Sequence, residues 1–120
     1  MIYEYKLVGH PKQIESTLNE IESKLNDNLP PVIGLNLLLC VEEALNSSFS
    51  YGKMESTNIE VSIEIDSEIK IVIKDDNDKV NQNSPVYKLS QKAIKRMVDT
   101  IHYEYKDNYN VLTLLKSNLL

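Results

Sequence analysis

Two segments of this chain carry oxygen-bearing side chains that could do chemistry. In the first, Glu42 and Glu43 stand in an apolar stretch, with Asn46 and Ser47 just beyond them. In the second, Asp75 opens a polar run directly after an alternating apolar segment. Carboxylates can act as general bases, and carboxylate, amide and hydroxyl oxygens can bind a hard cation such as Mg²⁺. These segments form the candidate site, and the elements around them must bring them together.

The first half of the chain predicts one strand and two helices. Residues 2–8 alternate between apolar and polar side chains, which is typical of a half-buried strand. Residues 11–28 carry a single apolar stripe and begin with a proline, so they predict an amphipathic helix. Residues 32–51 are apolar around most of their circumference. We therefore expect this second helix to be covered on several sides, in the centre of the domain.

The second half predicts a hairpin, a third helix and a second hairpin. Residues 59–65 and 69–73 alternate isoleucine and valine with polar side chains. After a polar loop over 75–86, residues 89–101 carry a third helical stripe, and two strands then flank a turn at 107–108. The predicted fold is α+β, in the order β-α-α-β-β-α-β-β. We expect a two-layer sandwich with three helices on one face of a mostly antiparallel mixed sheet.

Composition limits the class of protein. The 120 residues fit one domain spanning 1–120, with 42% hydrophobic and 26% charged residues. The net charge of −5 argues against a nucleic-acid partner, because phosphate binding needs a basic surface. The single cysteine, Cys40, lies in the most apolar segment and is expected to be a buried hydrophobe in a reducing cytoplasm. No apolar run is long enough for a membrane span and no signal peptide is evident, so a cytoplasmic location is expected.

The element order and both chemical segments resemble the GHKL (Bergerat-fold, histidine-kinase-like) ATPase domains. The resemblance is carried by Glu43-Ala44-Leu45 in the second helix and by Asp75-Asp76 after the hairpin, and it covers about residues 3–116. Within the superfamily the chain is most similar to the small bacterial anti-sigma-factor serine kinases. The resemblance implies a helical glutamate that helps to deprotonate the attacking group and an asparagine, four residues later, that binds Mg²⁺. It also implies an aspartate after the hairpin that accepts a hydrogen bond from the adenine amino group.

Two alignments of the helix motif are open. Aligning on Glu43 keeps the apolar face and puts Ser47 at the position of the Mg²⁺-binding asparagine. Aligning on Glu42 supplies Asn46 instead, but turns the apolar pattern by about 100° around the helix. We prefer the first alignment, so Glu43 is the candidate base and Ser47, or else Asn46, is the candidate Mg²⁺ ligand. The alternative is that these residues form the solvated face of a mostly buried helix.

The nucleotide loop departs from the family pattern. Asp75 stands at the adenine-binding position, while Asn77 and Lys79 occupy positions where the family has glycine. Glycine lets the backbone approach a ligand and adopt left-handed conformations, which asparagine tolerates moderately and lysine poorly. An acidic turn after a strand is the competing interpretation of this segment.

The segment that would form the Gly-rich lid over ATP, residues 86–93, contains no glycine. Lys88, Ser90 and Lys92 could meet an anion there, but a helix cap and a solvated face explain them better. The glycines of the chain all lie outside this segment, at Gly9, Gly34 and Gly52.

Three functions compete. The preferred interpretation is a degenerate regulatory module that needs no cofactor and binds a protein partner, such as a sigma factor or an anti-anti-sigma protein. The resemblance also implies a homodimer. The first alternative is an ATP-dependent serine/threonine protein kinase that uses Mg-ATP, and the second is a domain that binds nucleotide without catalysis. His10 and His102 lack metal-ligand spacing and are expected to be structural. Tyrosines such as Tyr103 are explained by strand propensity, and they could also mark a partner surface.

Overall fold

The computed structural model describes residues 1–51 and 57–118, with the backbone alone for 47–51. The predicted element order is confirmed. In chain order the elements are β1 (Ile2–Val8), α1 (Pro11–Asn28), α2 (Pro31–Tyr51), β2 (Asn58–Ile65), β3 (Glu68–Asp75), α3 (Pro85–Lys95), β4 (Thr100–Lys106) and β5 (Tyr109–Ser117).

The five strands form one sheet in the order β1-β2-β3-β5-β4, and every neighbouring pair is antiparallel. The prediction of a mixed sheet is therefore wrong. Strands β3 and β4 run parallel to each other across the α3 connection, but β5 lies between them and pairs antiparallel with both. The structure confirms the predicted α+β class, with three helices and an antiparallel sheet in the described part of the chain.

One face of the sheet carries the helices and the core. Ile59, Val61 and Ile63 of β2 are 1% exposed or less, and they alternate with more exposed neighbours. Helix α2 packs between α1 and α3 and also contacts β3. The prediction that this helix is covered on several sides is therefore confirmed. The other largest fully buried side chains come from α1, α2, α3, β3 and β5: Ile21, Leu25, Leu37, Val41, Leu45, Ile69, Ile71, Ile94 and Leu114.

The opposite face of the sheet is polar. Glu60 lies directly across from Lys74, and Glu64 across from Lys70, as the alternation of the two strands predicted. The side chain of Lys6 adds an ion pair with Glu60, at 3.8 Å between Nζ and Oε1. These exposed charges contribute little stability, so the fold is held mainly by the helix-covered face.

Helix α3 lies about one turn earlier in the chain than predicted. It begins at Pro85, after Ser84, whose hydroxyl accepts a backbone N–H from the first turn. It ends at Lys95, whereas the apolar stripe predicted a helix over 89–101. The capping serine and the proline at the first helical position set the start. At the other end the backbone N–H of Asp99 donates to the carbonyl of Leu115, at 2.9 Å, and the chain enters β4.

Strands β4 and β5 are joined by a two-residue turn at Asp107–Asn108, as predicted. Both residues have positive φ, 55° and 67°, which is the backbone that tight hairpins require. Gly52, near the expected end of α2, lies outside the described residues. Within the described part of the chain, none of the helices combines the length and the apolar character needed to cross a membrane.

Candidate functional site

A small pocket lies where β3 ends, between the sheet and helices α2 and α3. Its cavity volume is about 40 Å³, which gives room for about two or three water molecules. Ala44, Ile73 and Leu112 supply apolar walls. The polar lining consists of Asp75, Asn77, Tyr87, Ser90, Gln91, Tyr103 and Asn110.

Asp75 is the last residue of β3 and lies opposite Asn110 of β5 in the sheet register. Both side chains are buried, with 6% and 4% of their surface exposed. The amide nitrogen of Asn110 donates to Oδ1 of Asp75 at 2.8 Å, and the backbone N–H of Asn77 donates to the same oxygen at 3.2 Å. The carboxylate is therefore compensated within the protein, as a buried charge must be.

Asn110 also holds the loop that follows β3. Its Nδ2 donates to the carbonyl oxygens of Asn77 and Asp78, at 3.3 and 3.0 Å. Its Oδ1 accepts from the backbone N–H of Val80, at 3.1 Å, and from the hydroxyl of Tyr103. One side chain thus fastens residues 77–80 to the sheet. The sequence does not predict this role of Asn110, because an asparagine just after the Asp107–Asn108 turn is typical of the turn itself.

A second contact fixes the same loop from the other side. The hydroxyl of Thr57, which is 1% exposed, donates to Oδ1 of Asn77 at 2.7 Å. Among the described residues other than glycine, positive φ occurs at Asp107 and Asn108 only, so neither Asn77 nor Lys79 has a left-handed backbone. The loop therefore holds asparagine and lysine, at the two positions where the resemblance implies glycine, without backbone strain.

Tyr103 of β4 closes one side of the pocket. Its ring meets that of Tyr87 edge to face, with 5.8 Å between the centroids, and its hydroxyl accepts the backbone N–H of Val80 at 3.3 Å. Burial raises the pKa of Tyr103 above its ordinary value of 10.0, and the negative charge of Asp75 acts in the same direction. The phenol therefore stays protonated near neutral pH and donates to Asn110. The sequence pattern identified Tyr103 as a strand residue or a partner contact, and it contained no signal for a role in the pocket.

Among the described candidate side chains of α2, Glu42, Glu43 and Asn46 are not part of the pocket wall. Glu43 is half-buried, Glu42 and Asn46 are exposed, and Ala44 is the residue of this segment that lines the pocket. The side chain of Ser47 lies outside the described part of the structure. Thus Asp75 and Asn77 line one pocket, whereas Glu43 and Asn46 do not line it. Among the residues described, no group of three or more His, Cys, Asp or Glu side chains is arranged to hold a metal ion.

Of the candidate residues in α3, Ser90 departs from the prediction, whereas Lys88 and Lys92 lie on the solvated face as predicted. Ser90 is neither a cap nor on the solvated face: it is 3% exposed and forms part of the pocket wall. The cap is Ser84, and Lys88 and Lys92 are exposed. At the other end of the domain, Nδ1 of His10 accepts the backbone N–H of Lys12, at 3.2 Å, and caps α1, which is the structural role expected for this histidine.

Comparison of the chain with protein-family models and with curated proteins found no match. The GHKL resemblance therefore stays a prediction from the sequence.

Proposed function

We propose that this chain is a cytoplasmic regulatory module of the anti-sigma-factor type that binds a protein partner and does not turn over ATP. One observation carries the proposal. Helices α2 and α3 hold five of the eight large apolar side chains that are strongly exposed in the described part of the chain. They are Val32, Leu35, Leu39, Val86 and Leu89, with 71%, 56%, 42%, 52% and 69% of their surface exposed.

The arrangement on α2 is a continuous stripe. Val32, Leu35 and Leu39 are spaced by three and four residues, so they lie on one face of the helix. Together they form what we call the α2 stripe. Single exposed apolar residues are common, but a run of them along one helix favours a protein-binding surface. The same stripe explains why α2 is apolar around most of its circumference although only three sides are covered.

The pocket supports the absence of turnover. Oδ1 of Asp75, the residue at the adenine position that the resemblance implies, already accepts from Asn110 and Asn77. A pocket for a drug-sized ligand has about 300–1,000 Å³, far more than the space found here. Glu43, the candidate base, does not line the pocket. The small volume of the pocket and the position of Glu43 outside its wall support a function without ATP turnover, and no cofactor is part of the proposal.

The proposal also includes the kind of partner and the assembly of the protein. A sigma factor or an anti-anti-sigma protein is the partner that the resemblance implies, and a homodimer through α1 and β1 is the expected assembly. The net charge of −5 favours a protein over a nucleic acid as partner.

A nucleotide-binding domain without catalysis is the second candidate. It is favoured by the position of Asp75 and Asn77, which line one pocket beside α2 and α3, where the resemblance places adenine. A serine/threonine kinase would in addition need Glu43 as base and Ser47 or Asn46 as Mg²⁺ ligand.

Calorimetric titration with Mg-ATP and Mg-ADP separates these functions, with Asp75→Asn as the control variant. We expect no heat at millimolar nucleotide. Micromolar binding that Asp75→Asn abolishes would contradict the proposal and support the second candidate.

The protein-binding part has its own test. A partner is isolated with the tagged protein, identified, purified and titrated against the wild type and against Leu35→Gln combined with Leu39→Gln. We expect this pair of substitutions to weaken binding by more than about tenfold, because buried leucines contribute over 1 kcal/mol each. Ile2→Gln is the matched control, since Ile2 is 59% exposed and lies on β1. Failure to isolate any partner, or equal loss in the control, would contradict the proposal.

A further inference from the structure

The charges of this chain are strongly segregated. Residues 79–98 contain five of the 13 lysine and arginine side chains and none of the 18 acidic ones. The rest of the chain is left with eight basic side chains against 18 acidic ones. A protein that is acidic as a whole therefore has one basic segment, and this segment includes the whole of α3.

The structure places these cations on one surface. Lys88, Lys92, Lys95 and Arg96 are exposed, and their spacings of four, three and one residues put them on the outer side of α3. Leu89, 69% exposed, lies among them. We call these five residues the α3 face. Lys79 is exposed in the loop that leads into the helix.

The cations of the α3 face are not neutralised within the described chain. The ion pairs found there are Lys6–Glu60 and Lys116–Asp99. Neighbouring acidic side chains could have shielded these cations, but α3 has none. The positive charge is therefore presented to solvent together with an apolar side chain.

Helix stability accounts for only part of this pattern. Lys92 and Lys95 lie in the last turn, where cations stabilise a helix through its dipole. Lys88 lies near the start of α3, where the dipole disfavours a cation. Lys88 and Lys92 are four residues apart, as are Lys92 and Arg96, and like charges at this spacing destabilise a helix. Helix stability therefore does not account for Lys88 or for the four-residue spacing of these cations.

We propose that the α3 face docks a short acidic protein segment that also carries an apolar side chain for Leu89. The inference rests on the proposed function, because it names the chemistry of the partner. Charge complementarity selects an acidic partner, and Leu89 selects one with apolar side chains. With 11 residues, α3 is about 16 Å long and suits a short segment. A longer polyanion such as DNA would extend over the acidic remainder of the surface and be repelled.

The probe for this proposal is a fluorescein-labelled synthetic peptide in which glutamates form one side of a helix and leucines the other. Binding to the full chain is measured by fluorescence anisotropy at increasing NaCl concentration. We expect saturable binding that weakens as salt rises, because exposed charges are screened.

Three variants locate the binding site. Lys88→Glu combined with Lys92→Glu is expected to weaken peptide binding by more than about tenfold, because like charges across an interface repel. Leu89→Gln is expected to weaken binding while the salt dependence stays unchanged. Lys12→Glu combined with Lys106→Glu makes the same change in net charge at exposed lysines of α1 and β4, and is expected to bind as the wild type does. Circular dichroism checks the folding of each variant, and Lys88→Gln with Lys92→Gln replaces the reversal if that variant does not fold.

Several results would overturn the inference. One is an absence of peptide binding to the wild type, and another is equal weakening in the α1 and β4 control. Tighter binding of single-stranded DNA or of phosphatidylserine vesicles than of the peptide, lost in the same α3 variant, would assign the face to a different class of partner. If an isolated natural partner is lost on substitution of Leu35 and Leu39 but kept by the α3 reversal, the proposed function stands and this inference alone fails.

Discussion

Replacing Asn110 by aspartate tests whether the polar cluster behind the pocket is a structural clamp. The change preserves size but puts a carboxylate oxygen where Nδ2 stands, 2.8 Å from Oδ1 of Asp75. It also removes the donor to the carbonyl oxygen of Asp78, 3.0 Å away. Two buried carboxylates this close cannot both be ionised, so the folded variant must take up a proton.

The free energy of holding this proton sets the size of the effect. An aspartate in an unfolded chain titrates near pH 4, so keeping one carboxyl protonated at pH 7 costs about 4 kcal/mol, at about 1.4 kcal/mol per pH unit. Between about pH 4 and 7 the folded variant binds one proton more than the unfolded variant, so its stability falls as the pH rises. We therefore expect Asn110→Asp to lose about 4 kcal/mol at pH 7 relative to the wild type and to recover most of it toward pH 4.

The assay is urea unfolding followed by circular dichroism across this pH range. The wild type is compared with Asn110→Asp, with Asp75→Asn and with the double variant. The double variant again pairs one carboxylate with one amide, so it should recover part of the lost stability, and the cycle isolates the coupling of the two side chains. A loss that does not change with pH would refute the reasoning, as would a variant as stable as the wild type at neutral pH.

Three further predictions concern single side chains. Thr57→Val removes the hydroxyl that donates to Asn77 at 2.7 Å and should lower the free energy of unfolding by about 1–2 kcal/mol, measured in urea. Burial raises the pKa of Cys40 to about 11, so a thiol reagent at pH 8 should label it in denaturant and not in the native protein; rapid native labelling would contradict its burial. The hydrogen bond from the backbone N–H of Ser117 lowers the pKa of Asp99, so this carboxylate stabilises the fold at neutral pH and ceases to do so as the pH falls through its lowered pKa. Asp99→Asn should therefore melt below the wild type at pH 7, and the two melting temperatures should converge in acid.

The local patterns of the chain were sufficient for the type and order of all eight elements. Apolar alternation and helical stripes depend on neighbouring residues alone, so the strands and helices could be predicted without the fold. The first and last residues of α3 were harder to predict from the sequence. Its stripe continues past Lys95 into Met97 and Val98, which pack against the core although they follow the helix. An apolar stripe predicts which residues are buried, but it does not predict where the helix ends, because residues beyond the helix end can also be buried.

The candidate site was predicted in part. Asp75 follows a strand and therefore could be placed at its end, beside Asn77. Its partner Asn110 is 35 residues away in the sequence, and the contact exists because β5 pairs with β3 in a register that sets the two residues opposite each other. Residue types in the sequence indicated which groups could do chemistry, but they did not indicate which groups form hydrogen bonds with one another.

The sequence by itself determined which segments become helices and strands, which residues form the core, and that the acidic and basic side chains are segregated along the chain. These properties follow from residue type and short-range spacing. The tertiary structure alone decided that β5 lies in the sheet between β3 and β4 and that Asn110 donates a hydrogen bond to Asp75 in the pocket. It also decided that Val32 and Leu35 of α2 stay exposed. Each of these depends on contacts between residues far apart in the chain, whose relative positions are set by packing the whole domain.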